Sequence, residues 1–225
     1  MAERISVTAA DGHSFAAWRA DPTGETRGGI VVLQAIYGLT SHLGDVCDSF
    51  ARDGYAAMAP ALYDRTEPDT VFDYDHEGML GGMAFRDNLA EPTVLRDVSA
   101  CADTLRPAAD RIAISGFCTG GTWAFIAAAE LDLEAAVIFY GTDVHEHLDR
   151  TLRCPTLMHY GDKDHILSID TVRHIEATYP DAEFHVYPGA GHAFFNPEQP
   201  NYNADASRLA HERTIAFLDR HLAEK

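Results

Sequence analysis

Short apolar and β-branched runs recur along the chain at 4–8, 14–19, 29–34, 55–59, 111–115, 135–140, 156–160 and 183–187, and they predict eight strands. The first two flank Asp11-Gly12, which predicts an antiparallel hairpin. From the third strand onward, helical patterns at 41–53, 89–106, 119–131, 168–179 and 204–221 fall between the strands. This alternation predicts an α/β fold: a mainly parallel central sheet with an N-terminal antiparallel hairpin and helices on both faces. Thr70 and Ser168 are suited to helix caps, Pro92 to a first helical turn, and Pro180-Asp181 to a helix end. The stretch 64–88 carries Gly78, Gly81 and Gly82 among scattered Met and Phe residues. It reads as irregular, a cap or substrate-facing segment.

Length adds one constraint: 225 residues suit a single domain spanning 1–225. Charge adds another. With 17 Lys+Arg against 35 Asp+Glu the net charge is −18, too acidic for a basic patch that would hold nucleic acid or an anionic membrane. The N-terminus lacks a basic region followed by an apolar stretch, and no apolar run approaches the about 18 residues that span a bilayer. A cytoplasmic address is the expectation, with neither nucleic-acid nor membrane partners. Cys47, Cys101, Cys118 and Cys154 show no C-x-x-C spacing, and read as thiols. His145-Glu146-His147 resembles a metal pair, but alternate rings point to different sides and a third ligand is lacking nearby, so a solvated pair is expected.

One short segment carries chemistry. Gly116-Phe117-Cys118-Thr119-Gly120 follows the fifth strand and opens a helix, the strand–turn–helix setting of a nucleophile elbow with sulfur in place of the usual serine oxygen. A helix N-terminus and a nearby histidine favour the thiolate. In this fold type the acid and the histidine follow on later loops at the carboxyl ends of strands. Gly161-Asp162-Lys163-Asp164-His165 and Gly189-Ala190-Gly191-His192 both lie where that scheme needs them. His192 is the expected base, delivered by the freedom of Gly191, and Asp164 the expected orienting acid with Asp162 as competitor. The Thr119 amide is one oxyanion donor, and the loop 34–38, with Ile36 best placed, supplies the second. Blander readings exist for each: a structural thiol, a backbone-bonded loop histidine, a turn-forming aspartate.

Together with Asp11-Gly12-His13, Ile36-Tyr37-Gly38, Pro60-Ala61-Leu62-Tyr63 and Glu212-Arg213-Thr214-Ile215, these motifs resemble the dienelactone hydrolase (carboxymethylenebutenolidase) family across essentially the whole chain. The resemblance implies an α/β-hydrolase fold, a triad of Cys118, Asp164 and His192, oxyanion amides at Ile36 and Thr119, no metal or other cofactor, and a monomer. It implies hydrolysis of a small-molecule ester or lactone through an acyl-thioester. A thioester or haloacid substrate, or a non-catalytic ligand-binding role, are the alternatives. Substrate-facing positions are expected at Ala35, Tyr37, Met83, Arg86, Phe194, Phe195 and Asn196.

Two departures from the family pattern matter. Ala35 stands where the family typically has a glutamate against the resting cysteine, which leaves sulfur and imidazole to pair without a competing charge. The family's carboxylate-clamping arginines are also missing, since Phe195-Asn196 follows the histidine loop and 74–85 holds no arginine. Arg86 is the near candidate. Without a clamp, a less anionic substrate than dienelactone is expected.

Overall fold

The computed structural model describes residues 1–222; positions 223–225 of the 1–225 span lie outside the described residues. Eight strands form one sheet in the order β1-β2-β4-β3-β5-β6-β7-β8, where β1 is Glu3–Thr8, β2 Ser14–Ala20, β3 Gly29–Leu33, β4 Ala56–Pro60, β5 Ile112–Phe117, β6 Ala135–Phe139, β7 Thr156–Gly161 and β8 Glu183–Tyr187. β1 and β2 form the expected hairpin, paired Thr8 to Ser14, and β2 also runs antiparallel to β4. All other pairings are parallel. Every residue of β3 to β7 is buried, which explains why those segments read as apolar blocks without alternation.

Six helices join the strands: α1 Ser41–Arg52, α2 His76–Arg86, α3 Glu91–Leu105, α4 Thr119–Glu130, α5 Ile169–Thr178 and α6 Ala204–Leu222. α3 and α4 pack against each other. α1 and α6 meet through His211, whose Nε2 lies 2.8 Å from Asp53 Oδ2 and whose ring packs on Phe50. α4 is apolar nearly all round and is buried accordingly. Ser168 caps α5 by accepting the Thr171 amide at 3.1 Å, and Pro92 sits in the first turn of α3. None of the six helices is long and apolar enough to cross a membrane.

The stretch 64–88 is more ordered than its sequence suggests. It contains α2, whose cap is Asp75 accepting the Gly78 amide at 2.7 Å; Thr70 is not a cap and donates instead to Glu67 O in a turn. The glycines that made the segment look irregular are what seat the helix. A Cβ on Gly82 would fall 2.1 Å from the Ile36 carbonyl oxygen, and one on Gly81 would meet the Phe72 ring at 2.5 Å. α2 therefore lies directly against the loop after β3, backbone to backbone. Tyr63, Phe72 and Phe85 pack edge to face beneath it, with centroids 5.2–6.3 Å apart.

This contact reverses the usual effect of a helical Gly-to-Ala change. Alanine favours a helix by about 1 kcal/mol over glycine, yet Gly82→Ala is expected to lower stability by about 1–3 kcal/mol because its methyl group must displace the Ile36 carbonyl. Urea unfolding measures it; a midpoint at or above that of the unsubstituted protein would contradict the packing.

Candidate active site

The chain leaves β5 and enters α4 through Cys118, which holds φ 56° and ψ −121°. A side chain at positive φ is strained by about 1–3 kcal/mol, so something must hold it there. The Cys118 amide donates to Phe139 O on the neighbouring strand at 3.0 Å, while its carbonyl accepts the Gly121 and Thr122 amides at 2.9 and 3.2 Å. The bend is also too tight for side chains. Cβ atoms on Gly116 and Gly120 would lie 2.0 Å from Gly120 O and 2.4 Å from Gln34 O. The elbow glycines are thus required by contact, not only by conformation.

The β7 and β8 loops meet beside the elbow. Lys163 N donates to Ala190 O at 2.9 Å, Asp162 N to Tyr187 O at 3.1 Å, and Gly189 N to Asp162 Oδ1 at 2.6 Å. Asp162 therefore ties the two loops together. Asp164 Oδ2 lies 2.8 Å from His192 Nδ1, and its Oδ1 accepts the Ile166 and Leu167 amides at 2.8 and 3.1 Å. One Asp164 oxygen thus serves its own turn and the other contacts the His192 ring. The backbone freedom near His192 is used at Gly189, φ 75°, and at Ala193, φ 61°. Gly191 does not have positive φ, contrary to the role expected for it, and a Cβ there would make only ordinary contact with Asn201.

His192 is 6% exposed, and its Nε2 is buried with no hydrogen-bond partner among the described residues. Cys118 acts electrostatically on the same ring. Burial, the largest influence, opposes the imidazolium, but negative charge at Cys118 and the hydrogen bond to Asp164 outweigh it and raise the His192 pKa to about 10. Burial would lift the Asp164 carboxyl, and the His192 hydrogen bond and charge with the loop amides bring it below the usual value instead. Tyr140, at φ 40°, sets its ring edge to face on His192 at 5.0 Å. The amides of Ile36 and Thr119 have no acceptor among the described residues. A buried sulfur, a histidine whose far nitrogen is held by a carboxylate, and two undonated amides are the parts needed to attack a carbonyl and hold its oxyanion.

Cys118, His192 and Ile36 border a cavity of about 260 Å³. Of the expected substrate-facing residues, Ala35, Tyr37 and Asn196 line it. Four others do not. Met83 is exposed, Phe194 is in the core, and Phe195 stacks on Phe117 and Phe139. Arg86 is turned to Asp87 and Asp143, at 2.9 and 3.9 Å. Met79, one turn before Met83, takes the place expected for it; His165, the last residue of the 161–165 motif, also lines the cavity, as do His42, Tyr74, Tyr140 and Gln199, which no motif marked. Neither lysine nor arginine is among the lining residues. A larger open groove of about 780 Å³, bordered by 148–156 and 178–183, contains none of the elbow or loop residues.

The Dienelactone hydrolase family model matches residues 15–222. The chain belongs to the dienelactone hydrolase family. It is 31% identical to a "Putative carboxymethylenebutenolidase" of Azospirillum brasilense over 97% of this chain and 98% of the relative, and 29% identical to the carboxymethylenebutenolidase of Pseudomonas putida over 97% and 96%. Among solved structures, a "Putative Dienelactone Hydrolase" from Klebsiella pneumoniae superposes with a TM-score of 0.83 at 28% identity, covering 96% of this chain and 97% of that one. As a member of this dienelactone hydrolase family, with its α/β-hydrolase fold, the protein is a hydrolase of ester or lactone bonds.

Tyr63, the last residue of the Pro60-Ala61-Leu62-Tyr63 motif, has a supporting role that the motif did not reveal. Its hydroxyl lies 2.9 Å from Ile36 O and 3.1 Å from Gly82 O, so one phenol joins the oxyanion-side loop to α2. Tyr63→Phe leaves both carbonyls without that donor in a buried setting, and a loss of about 1–3 kcal/mol is expected by urea unfolding. A change below about 0.5 kcal/mol would show that the hydroxyl does not hold the loop.

Proposed function

We propose that Cys118 is the nucleophile of an ester or lactone hydrolase whose base is His192 and whose orienting acid is Asp164. The observation that carries this is that the elbow sulfur and the His192 ring meet on one cavity, with the Asp164 carboxylate 2.8 Å from that ring on a third loop. The thiolate attacks the carbonyl carbon, and the oxyanion is held by the Ile36 and Thr119 amides. Collapse breaks the C–O bond to the alcohol part, which takes the His192 proton as it leaves, and an acyl-thioester remains. His192 then removes a proton from water, the hydroxide adds to the thioester carbonyl, and collapse expels the thiolate and releases the acid. The thiolate and the imidazolium are both restored. In a lactone the leaving oxygen stays tethered to the acyl group, with the same proton accounting.

The substrate is uncharged where it meets the cavity. The lining has no lysine or arginine to neutralise a carboxylate, and Arg86 is occupied by two aspartates. A buried carboxylate without a cationic partner is costly, so a neutral ester or lactone is favoured over a carboxylated one.

Ala35 puts no charge beside the sulfur, and the raised His192 pKa supports a resting thiolate–imidazolium pair. The rate of Cys118 alkylation by iodoacetamide is expected to be nearly flat from about pH 6.5, the ordinary histidine value, to about pH 9. The sign follows from the raised histidine: its proton is kept throughout that window and is lost only as pH nears about 10. A rate that climbs tenfold per pH unit toward the free-thiol value of about 8.5 would contradict the resting pair. Cys118→Ala is expected to cut kcat for an activated aryl ester by at least about 10³-fold with an unchanged far-ultraviolet spectrum. Activity retained by that folded variant would end the proposal.

A further inference from the structure

A second imidazole stands in the cavity wall. His42 is the second residue of α1, and its ring packs against Phe117, the residue before the proposed nucleophile, with centroids 6.4 Å apart and planes at 61°. The residue is 8% exposed, and neither ring nitrogen makes a hydrogen bond to any described residue. Neither nitrogen is sealed away either, since both keep surface accessible from the cavity that the residue lines. A polar ring placed this way depends on water or a ligand in the cavity for its hydrogen bonds, a need that leucine or phenylalanine in the same space would not have.

The ring's state follows from its surroundings. Burial disfavours the imidazolium and brings the His42 pKa to about 4, with Asp45 opposing only weakly, so the ring is neutral near pH 7. A neutral imidazole offers one N–H donor and one bare nitrogen acceptor. Two other polar groups of the cavity lining are engaged. The Tyr74 hydroxyl donates to Thr40 Oγ1 at 3.2 Å, and Asn196 Oδ1 accepts the Glu198 amide at 2.9 Å. Leu43, Met79 and Phe117 supply apolar wall beside the ring. Beside that apolar wall, His42 keeps hydrogen-bonding capacity to spare and carries no charge.

We propose that His42 is a specificity-determining residue that hydrogen-bonds an uncharged hydroxyl or carbonyl substituent of the substrate, selecting oxygenated neutral esters or lactones. The assignment rests on the hydrolase reading of the same site and adds to it the kind of acyl or alcohol part the cavity takes. Its physical basis is asymmetry. A hydroxyl that reaches the ring replaces water with a bond of similar strength, whereas a methyl group in the same place strips the ring of water and returns nothing. A carboxylate would bring a charge into a lining without a cation.

The test is the ratio of kcat/KM within matched sets of γ- and δ-lactones that carry a hydroxyl, a methyl or a carboxylate at the same ring position. At one position or more, the hydroxylated lactone is expected to exceed its methyl and carboxylate counterparts by about tenfold or more. In His42→Leu the hydroxyl-to-methyl ratio is expected to fall to within about twofold of unity, and in His42→Gln, which keeps a donor and an acceptor, to remain above about fivefold. The iodoacetamide reaction of Cys118 in each variant separates lost recognition from a damaged elbow. No hydroxyl preference at any position, or a preference that His42→Leu leaves intact, would overturn the His42 assignment while leaving the hydrolase reading standing. Failure of the unsubstituted protein to turn over any ester or lactone would overturn both.

Discussion

The backbone at Cys118 governs what surrounds it. A cysteine at φ 56° between a fully buried strand and a buried helix persists only because neighbouring backbone leaves it no alternative. The Phe139 carbonyl takes its amide, two α4 amides take its carbonyl, and Gly116 and Gly120 clear a space that a single methyl group would fill. Gly120 rests on the carbonyls of Leu33 and Gln34, so the elbow also sets the start of the loop that carries Ile36. Sheet order completes the arrangement. β3 and β6 flank β5, and β7 and β8 follow, which brings the loops bearing Ile36, Asp164 and His192 to the same end of the sheet.

The remaining parts support those loops rather than one another's chemistry. Asp162 and Gly161 bind the β7 and β8 loops into one unit, and Asp164 divides its oxygens between its own turn and the His192 ring. On the other side, Tyr63 and Gly82 hold the Ile36 carbonyl. The protein is strongly acidic overall, yet its cavity lining holds no aspartate, glutamate, lysine or arginine. Net charge thus describes the outer surface and says little about what the cavity accepts.

Most of the fold could be read from the chain because its strands are buried on both sides and its helices carry regular patterns. The β1–β2 hairpin at Asp11-Gly12 and the Ser168 cap rest on local chemistry and were legible for that reason. α2 was not. Its buried residues are Gly78 and Gly82, so it is held by close backbone approach and leaves no apolar stripe for periodicity to detect. The cavity lining followed the same rule. Ala35, Tyr37 and Asn196 lie near motif residues and were found, while Met83 missed by one helical turn because the helix around it was not foreseen. Phe194 and Phe195 follow His192, but the positive φ of Ala193 sends the chain back into the core there. His42 carries no motif, and a polar residue in the first turn of a helix reads as solvent-facing until the neighbouring Phe117 ring is placed over it.

The central claim is that the Cys118 sulfur bonds to the acyl group of the substrate. Rapid acid quench of the protein during its first turnover of an activated aryl ester, followed by peptide mass mapping, tests this most directly. The account predicts one acyl group per chain on the peptide that contains Cys118, absent after prior alkylation of that thiol. Ester turnover with no adduct on that peptide, or with the acyl group on a different residue, would contradict it.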